Sequence, residues 1–379
     1  MNMMDQWIAK ISQKDAFHIV KNTYVSLTIW IVALSLLYVF SNVFRIHTVQ
    51  EWIIYILEHH YIFFGTVFGY QFTKQKQMDP VLGILTGILC GFVTMICFQS
   101  NLWMSIPNML IIAFTLQCIR IVDKRKISIS WMPPAVCQYI KNLMIPITVF
   151  IVLAMVTCIP SQFMDLLLEP LRTVVYALST LPAILLVIGL TCYFWIRGIH
   201  GVAILGTILR PFWMQMILMN LYAVLMHQPV VYIGSEAFFQ WFVWIGGSGA
   251  TLGLAIVCSF FGRSQHMKAV KKTALSGGIF NINEQVIFGM PIMENRYLML
   301  PFFGVPLISA CIAYTLMQQG TVGICHVLAP WVAPFFLGSI LSAGASAKIL
   351  LLSFGLVLLS ALCYLPFFVW YDKKLKEGE

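Results

Sequence analysis

No Asp, Glu, Lys or Arg interrupts residues 22–44, and the same holds for 81–119, 173–196 and 297–347. An apolar run of about 20 residues is what an α-helix needs to cross the hydrocarbon of a bilayer. These runs are continuous rather than alternating, which excludes a transmembrane β-barrel. The chain is 60% hydrophobic and 10% charged, against about 25% charged in an ordinary soluble domain. An all-α integral membrane protein is the fold class that follows. Net charge is +9, yet the basic residues sit in short loops between apolar runs. That pattern reflects membrane orientation and not a nucleic-acid surface.

Taken in order, the apolar runs predict about ten spans: 22–44, 52–72, 81–98, 101–119, 142–159, 179–195, 202–224, 240–261, 298–317 and 349–370. Residues 1–21 read either as an amphipathic helix on the membrane surface or as a solvated tail. Lys74 and Lys76, the cluster Arg120, Lys124, Arg125 and Lys126, the group Arg263 to Lys272, and the tail Lys373, Lys374 and Lys376 place these loops and both termini in the cytoplasm. Residues 161–178, with Asp165, Glu169 and Arg172 among leucines, read as an interfacial connector between an N-terminal half (1–160) and a C-terminal half (179–379). The ten cysteines form no C-x-x-C pair and read as small packing residues. No metal or cofactor motif is visible, and the adjacent His59 and His60 do not make a metal site by themselves.

Two stretches are too interrupted for clean spans, and both read as re-entrant hairpins: 273–294 and 323–343. The first is the more informative. Residues 274–301 are mostly apolar, yet they hold Glu284 between Asn283 and Gln285, with Gly277, Gly278, Gly289, Pro291 and Pro301 around them. Irregular backbone at membrane depth survives only inside protein or along a wet cavity. An ionisable residue there is a functional-site candidate by default. A carboxylate can accept a hydrogen bond from a hydroxyl and serve as its general base. The alternative is a structural carboxylate capping backbone N–H groups. Asn281 and Asn283 share one face if the segment is extended; Asn283 suits either hydroxyl recognition or backbone satisfaction. Gly247 and Ser248, in the small-residue run 246–253, suit close helix packing or ligand contact. Arg197, Arg210 and Arg296 suit phosphate attraction or membrane orientation, and Lys271 and Lys272 suit a solvated turn or a docking surface.

Four motifs in this order, MPPAV at 132–136, GIHG at 198–201, IGGSGATLGL at 245–254 and GGIFNINEQVIFGMP at 277–291, resemble the membrane subunit IIC of the bacterial sugar phosphotransferase system (PTS), in its lactose/cellobiose/chitobiose branch. APW at 329–331 and LPFFVWYDKKL at 365–375 belong to the same likeness. The resemblance implies the EIIC fold and a homodimer whose contacts come mainly from the first half. It implies a sugar, a β-linked disaccharide of the cellobiose, chitobiose or lactose class, held between the two hairpins of the second half. The sugar would be carried across the bacterial cytoplasmic membrane and phosphorylated at its 6-hydroxyl. The phosphate would come from a separate cytoplasmic IIB protein, itself served by IIA. Carried onto this chain, the site is Glu284 and His200 for chemistry, with Asn283, Trp331, Ser248 and Gly247 joining them in binding. Three positions depart from the family pattern. Gln285 stands for the proline of INEP, Arg296 for the proline of the later Asn-Pro, and Gly277 for the proline before GIF. A carrier of the same fold uncoupled from phosphorylation, or a degenerate membrane receptor, are the alternatives these departures leave open.

Overall fold

The computed structural model describes residues 13–98, 102–124, 132–290 and 292–378, and every regular element among them is helical. The first half carries α1 (Asp15–Val43), α2 (His47–Glu58), α3 (His60–Gln75), α4 (Pro80–Phe98), α5 (Ser105–Lys124) and α6 (Pro134–Thr157). Next come α7 (Ser161–Leu178), α8 (Leu181–Ile196) and α9 (Gly201–Leu225). A short helical piece, Glu236–Phe238, runs on as a π-turn, Phe239–Val243. The chain then forms α10 (Leu252–Phe261), α11 (Gln265–Ile279), α12 (Glu284–Gly289), α13 (Met299–Gln318), α14 (Phe335–Ala343) and α15 (Ala347–Gly378). Among the described residues seven helices are long and apolar enough to cross a membrane. The pair α7 and α8, bent by 70° at its break, would make an eighth.

Two compact units divide these helices. The first comprises the chain up to Trp30 together with Thr48–Val174; the second comprises Ile31–His47 and Val175–Glu379. In the first unit α3 and α4 meet on glycine. A Cβ added to Gly69 would lie 2.2 Å from the Gly83 carbonyl oxygen, and one added to Gly83 would lie 2.2 Å from that of Gly69. Small residues let two helix backbones touch where lipid offers no hydrophobic drive to association. Beside this contact the buried Asn108 ties three helices: its Nδ2 donates to Tyr61 O at 2.9 Å, and its Oδ1 accepts from Thr94 Oγ1 at 3.2 Å. On α7, Arg172 reaches Glu169 at 2.6 Å and Asp165 at 3.5 Å, so the charges of this amphipathic helix are gathered together.

Three expected spans differ. The predicted span 52–72 is two helices, because His59 and His60 turn their Nδ1 atoms onto Tyr55 O (2.9 Å) and Leu57 O (2.6 Å). The His60 bond serves a carbonyl in the last turn of α2, while Tyr55 O also accepts from His59 N at 3.3 Å. The predicted span 240–261 is broken at 244–251, where Gly246, Gly247 and Gly249 have φ of +79°, +100° and +84° and Ala250 has +54°. Four left-handed residues within five cannot continue a right-handed helix. The span predicted at 142–159 begins earlier, with Pro134 in the first turn of α6, where proline's missing N–H is no loss. Of the expected surface helix at 1–21, residues 1–12 lie outside the described residues, and from Asp15 the chain already belongs to α1.

The glycine contact makes a direct prediction. Gly69→Ala and Gly83→Ala each drive a methyl into opposing backbone, so each lowers stability by about 1–3 kcal/mol. Gly304→Ala, whose Cβ would meet nothing within 4 Å, is the matched control and leaves the melting temperature unchanged or slightly raised. Thermal unfolding of the three purified variants in one detergent checks this.

Candidate functional site

Within the second unit the irregular segments 244–251 and 319–334 are joined by a turn at 280–283. The turn carries Asn281, whose φ of +60° lies in the left-handed region that asparagine tolerates better than most residues. The segment is therefore not extended, and Asn281 and Asn283 are not related by strand alternation. Both are nonetheless buried, and both aim their amides at neighbouring backbone. Asn281 Oδ1 accepts from Gly246 N at 2.9 Å, and its Nδ2 donates to Trp331 O and Ala333 O at 3.1 and 3.2 Å. One side chain thus joins the glycine loop to the second irregular segment. Asn283 Nδ2 donates to Ser248 O at 2.9 Å. A Cβ on Gly247 would sit 2.3 Å from Asn283 Cγ, so only glycine lets the amide in.

Side chains of α15 complete the glycine loop. Ser360 Oγ donates to Ala250 O at 2.6 Å and Tyr364 Oη to Gly249 O at 2.7 Å. Thr251 Oγ1 returns to Gly246 O at 2.7 Å. The 319–334 segment is held in the same manner. Asn220 Nδ2 donates to Tyr232 O and to Cys325 O, both at 2.7 Å. Leu328 N donates to Ser35 Oγ at 3.1 Å, and His326 N to Ser342 O at 2.9 Å.

Against this scaffold the remaining candidates differ. Glu284 opens α12, is exposed, and has no hydrogen-bond partner among the described residues, so its carboxylate caps no backbone there. His200 precedes α9 and is exposed. Its Nδ1 accepts from Ala203 N at 3.1 Å. An accepting Nδ1 in a neutral ring puts the proton on Nε2, leaving that N–H as a free donor. The Trp195 ring lies 4.4 Å from the imidazole and supports its plane. Trp331 is 57% exposed, while its carbonyl is bound to Asn281. Ser248 and Gly247 are used through their backbone.

Glu284, Asn283, Gly247, Ser248 and Trp331 are thus brought together by direct hydrogen bonds or chain adjacency. His200 stands on the α8–α9 turn, where a Cβ on Gly198 would come 3.5 Å from Met293 Sδ, just beyond α12. An exposed carboxylate, an N–H donor and an exposed indole are groups suited to a polyhydroxylated ligand. Arg210 does not join them, because its guanidinium is held by Glu236 at 2.8 Å. Two of the sequence departures meet here: a Cβ on Gly277 would lie 2.7 Å from Ile282 O and 2.8 Å from Gln285 Oε1.

Residues 16–306 match the family model described as phosphotransferase system, EIIC. The chain belongs to that family. Among its relatives are the lichenan permease IIC component of Bacillus subtilis (37% identical over 185 residues, 48% of this chain and 41% of the relative) and the oligo-beta-mannoside-specific EIIC component of the same organism (28% over 273 residues, 70% and 57%). The lactose-specific EIICB component of Lactococcus lactis is 25% identical over 310 residues, 78% of this chain and 50% of the relative. The chain spans about half the length of the curated relatives it matches. The crystal structure of ChbC, the IIC component from the N,N'-diacetylchitobiose-specific phosphotransferase system, superposes with a TM-score of 0.83 at 22% identity, over 100% of this chain and 99% of that one. The EIIC fold is therefore the fold of this chain.

Sequence reasoning missed Trp195 and Glu236. Trp195 is one of eleven tryptophans and is distinguished only by its place five residues before His200. Glu236 sits in a short connection whose partner lies 26 residues away.

Removing the Asn281 amide tests the scaffold. Asn281→Ala strands one N–H and two carbonyl partners and leaves a strained left-handed alanine, a loss of roughly 2–5 kcal/mol. Gln285→Pro removes an N–H that donates no hydrogen bond among the described residues and changes stability by less than about 1 kcal/mol. Melting temperatures in detergent separate the two.

Proposed function

We propose that this chain binds a β-linked disaccharide and carries it across the bacterial cytoplasmic membrane, where a separate IIB protein phosphorylates the sugar's 6-hydroxyl. The observation that carries the reading is the state of two side chains of the second unit, Glu284 and His200. Both are exposed, and each keeps a polar atom free while neighbouring polar side chains are consumed by the scaffold. In this reading Glu284 accepts the 6-hydroxyl proton as that oxygen attacks the phosphorus of the donor protein. The P–S bond to the donor's phosphocysteine breaks, releasing its thiolate, and the new P–O bond forms to the sugar. His200 Nε2–H holds a sugar or phosphoryl oxygen in line. Proximity and a base of this kind are each worth orders of magnitude in rate. Trp331 offers its exposed face to a pyranose ring.

The names of the relatives, which include lichenan, cellobiose, lactose and oligo-beta-mannoside components, support the β-linked class. Fused EIICB relatives support IIB as partner, with IIA behind it. The reading further takes the protein as a homodimer through its first half, with residues 161–178 as connector. Residues 273–294 and 323–343 act as hairpins on the sugar, and both termini face the cytoplasm. Arg263 after α10, Lys268, Lys271 and Lys272 in the first half of α11, and the basic end of α15 support that orientation.

The test is binding and IIB-dependent phosphorylation with cellobiose, lactose and N,N'-diacetylchitobiose. Glu284→Gln keeps sugar binding within about tenfold and lowers phosphorylation by roughly 100-fold or more. His200→Ala lowers both. Phosphorylation by Glu284→Gln at the wild-type rate removes the base; absence of binding across the whole panel by folded wild-type protein removes the substrate class.

A further inference from the structure

The Arg210–Glu236 ion pair is left unused by the site described above. Arg210 Nη2 lies 2.8 Å and Nε 3.1 Å from Glu236 Oε1, with Nε also 3.3 Å from Oε2. Both side chains are mostly buried, at 24% and 17% exposure. Arg210 is the only charged residue of α9. Ionic groups inside a membrane helix are costly and mark function by default, and a planar guanidinium held by a carboxylate fixes orientation as well as charge.

The position of the pair suggests what it orients. Arg210 lies ten residues after His200 on the helix that His200 opens, about 15 Å along the axis. One turn further on, Trp213 packs against Phe239 at 5.0 Å and Trp244 at 6.5 Å, and Phe239 stacks on Trp244 at 5.1 Å. Glu236 and Phe239 are three residues apart on one short helical face. The ion pair and the aromatic contact therefore bind α9 to the 236–244 segment at two adjacent levels.

From Trp244 the bonds run into the site without a gap. Gly247 N donates to Trp244 O at 2.8 Å and Leu252 N to Ile245 O at 3.2 Å. Gly246 N reaches Asn281, and Ser248 O receives Asn283, the residue before Glu284.

We infer that Arg210 and Glu236 are positioning residues for the sugar site. They fix the helix bearing His200 against the segment whose glycine loop seats Asn281 and Asn283, and so hold His200 and Glu284 in a common frame. The inference rests on the sugar-site reading above. A purely packing contact would hold the elements together equally well; the two-pronged ion pair adds a fixed register.

Hydrogen exchange of the amides of Gly246 and Leu252, measured on the full chain in lipid nanodiscs, reads the loop without any sugar. Binding of cellobiose and N,N'-diacetylchitobiose reads the site. Arg210→Gln and Glu236→Gln are expected to speed exchange at both amides and to weaken sugar binding by roughly 10- to 100-fold. The double exchange Arg210→Glu with Glu236→Arg is expected to recover much of both. Arg210→Lys keeps the charge but loses the fork, and is expected to speed exchange with little loss of melting temperature. If the glutamine variants fail to fold, Arg210→Lys decides: wild-type exchange at Gly246 overturns the inference. Faster exchange with unchanged sugar affinity also overturns it, since the pair would then steady a loop that does not set the site. Wild-type protein that binds neither sugar takes down the sugar reading instead, and the exchange pattern still decides whether the pair governs the loop.

Discussion

Backbone N–H and C=O groups that leave a helix inside a membrane must find partners within the protein, because lipid offers none. The second unit of this chain has irregular backbone at 226–235, 244–251 and 319–334, and satisfies exposed peptide groups there with side chains. Asn281 serves three backbone groups, Asn220 three, and Asn283, Ser360, Tyr364 and Ser35 one each. A buried group left unpaired costs about 1–3 kcal/mol, so the six residues together carry more free energy than the net stability of many domains. The irregular segments stand because these amides and hydroxyls were placed for them.

That requirement separates the polar residues by role. Asn281 and Asn283 have the chemistry of sugar ligands, but their Nδ2 hydrogen bonds go to carbonyls of neighbouring loops. The Glu284 carboxylate and His200 Nε2 have no hydrogen-bond partner among the described residues. A residue whose hydrogen-bonding capacity is spent on the scaffold acts on a ligand only through what it positions. Asn283, through its Nδ2 bond to Ser248 O, seats the first turn of α12, from which Glu284 projects, and the Trp195 ring packs beside His200.

The long spans were readable because apolar length needs no tertiary information: 22–44, 81–98, 298–317 and 349–370 all lie within or close to observed helices. The break at His59 was not readable, since imidazoles folding back onto carbonyls leave no local pattern. The run 246–253 read as close helix packing or ligand contact within a span. Small residues also suit a left-handed loop, which here depends on Asn281, Ser360 and Tyr364, from 35 to 115 residues away. Glu284 stood out as a candidate because a carboxylate in an apolar run has few purposes. Arg210 was not, because the sequence alone does not show whether a cation inside an apolar span attracts phosphate, sets membrane orientation or answers a distant Glu236.

The departures from the family pattern around Glu284 are best understood through contact. Gly277 closes the end of α11, where any side chain would meet the Ile282 carbonyl, and the Gln285 side chain folds over the space that this glycine leaves. The two replacements thus form one local exchange: a side chain at 285 occupies room made by its absence at 277. The exchange stays on the exposed side of the turn. It touches neither the Asn281 bonds to Gly246, Trp331 and Ala333 nor the Asn283 bond to Ser248. What holds Glu284 in place is therefore intact, and altered hairpin residues do not by themselves imply an altered site. A second change at 277 alone would be different, since a β-carbon there must displace Ile282 O and with it the residue that leads into Asn283.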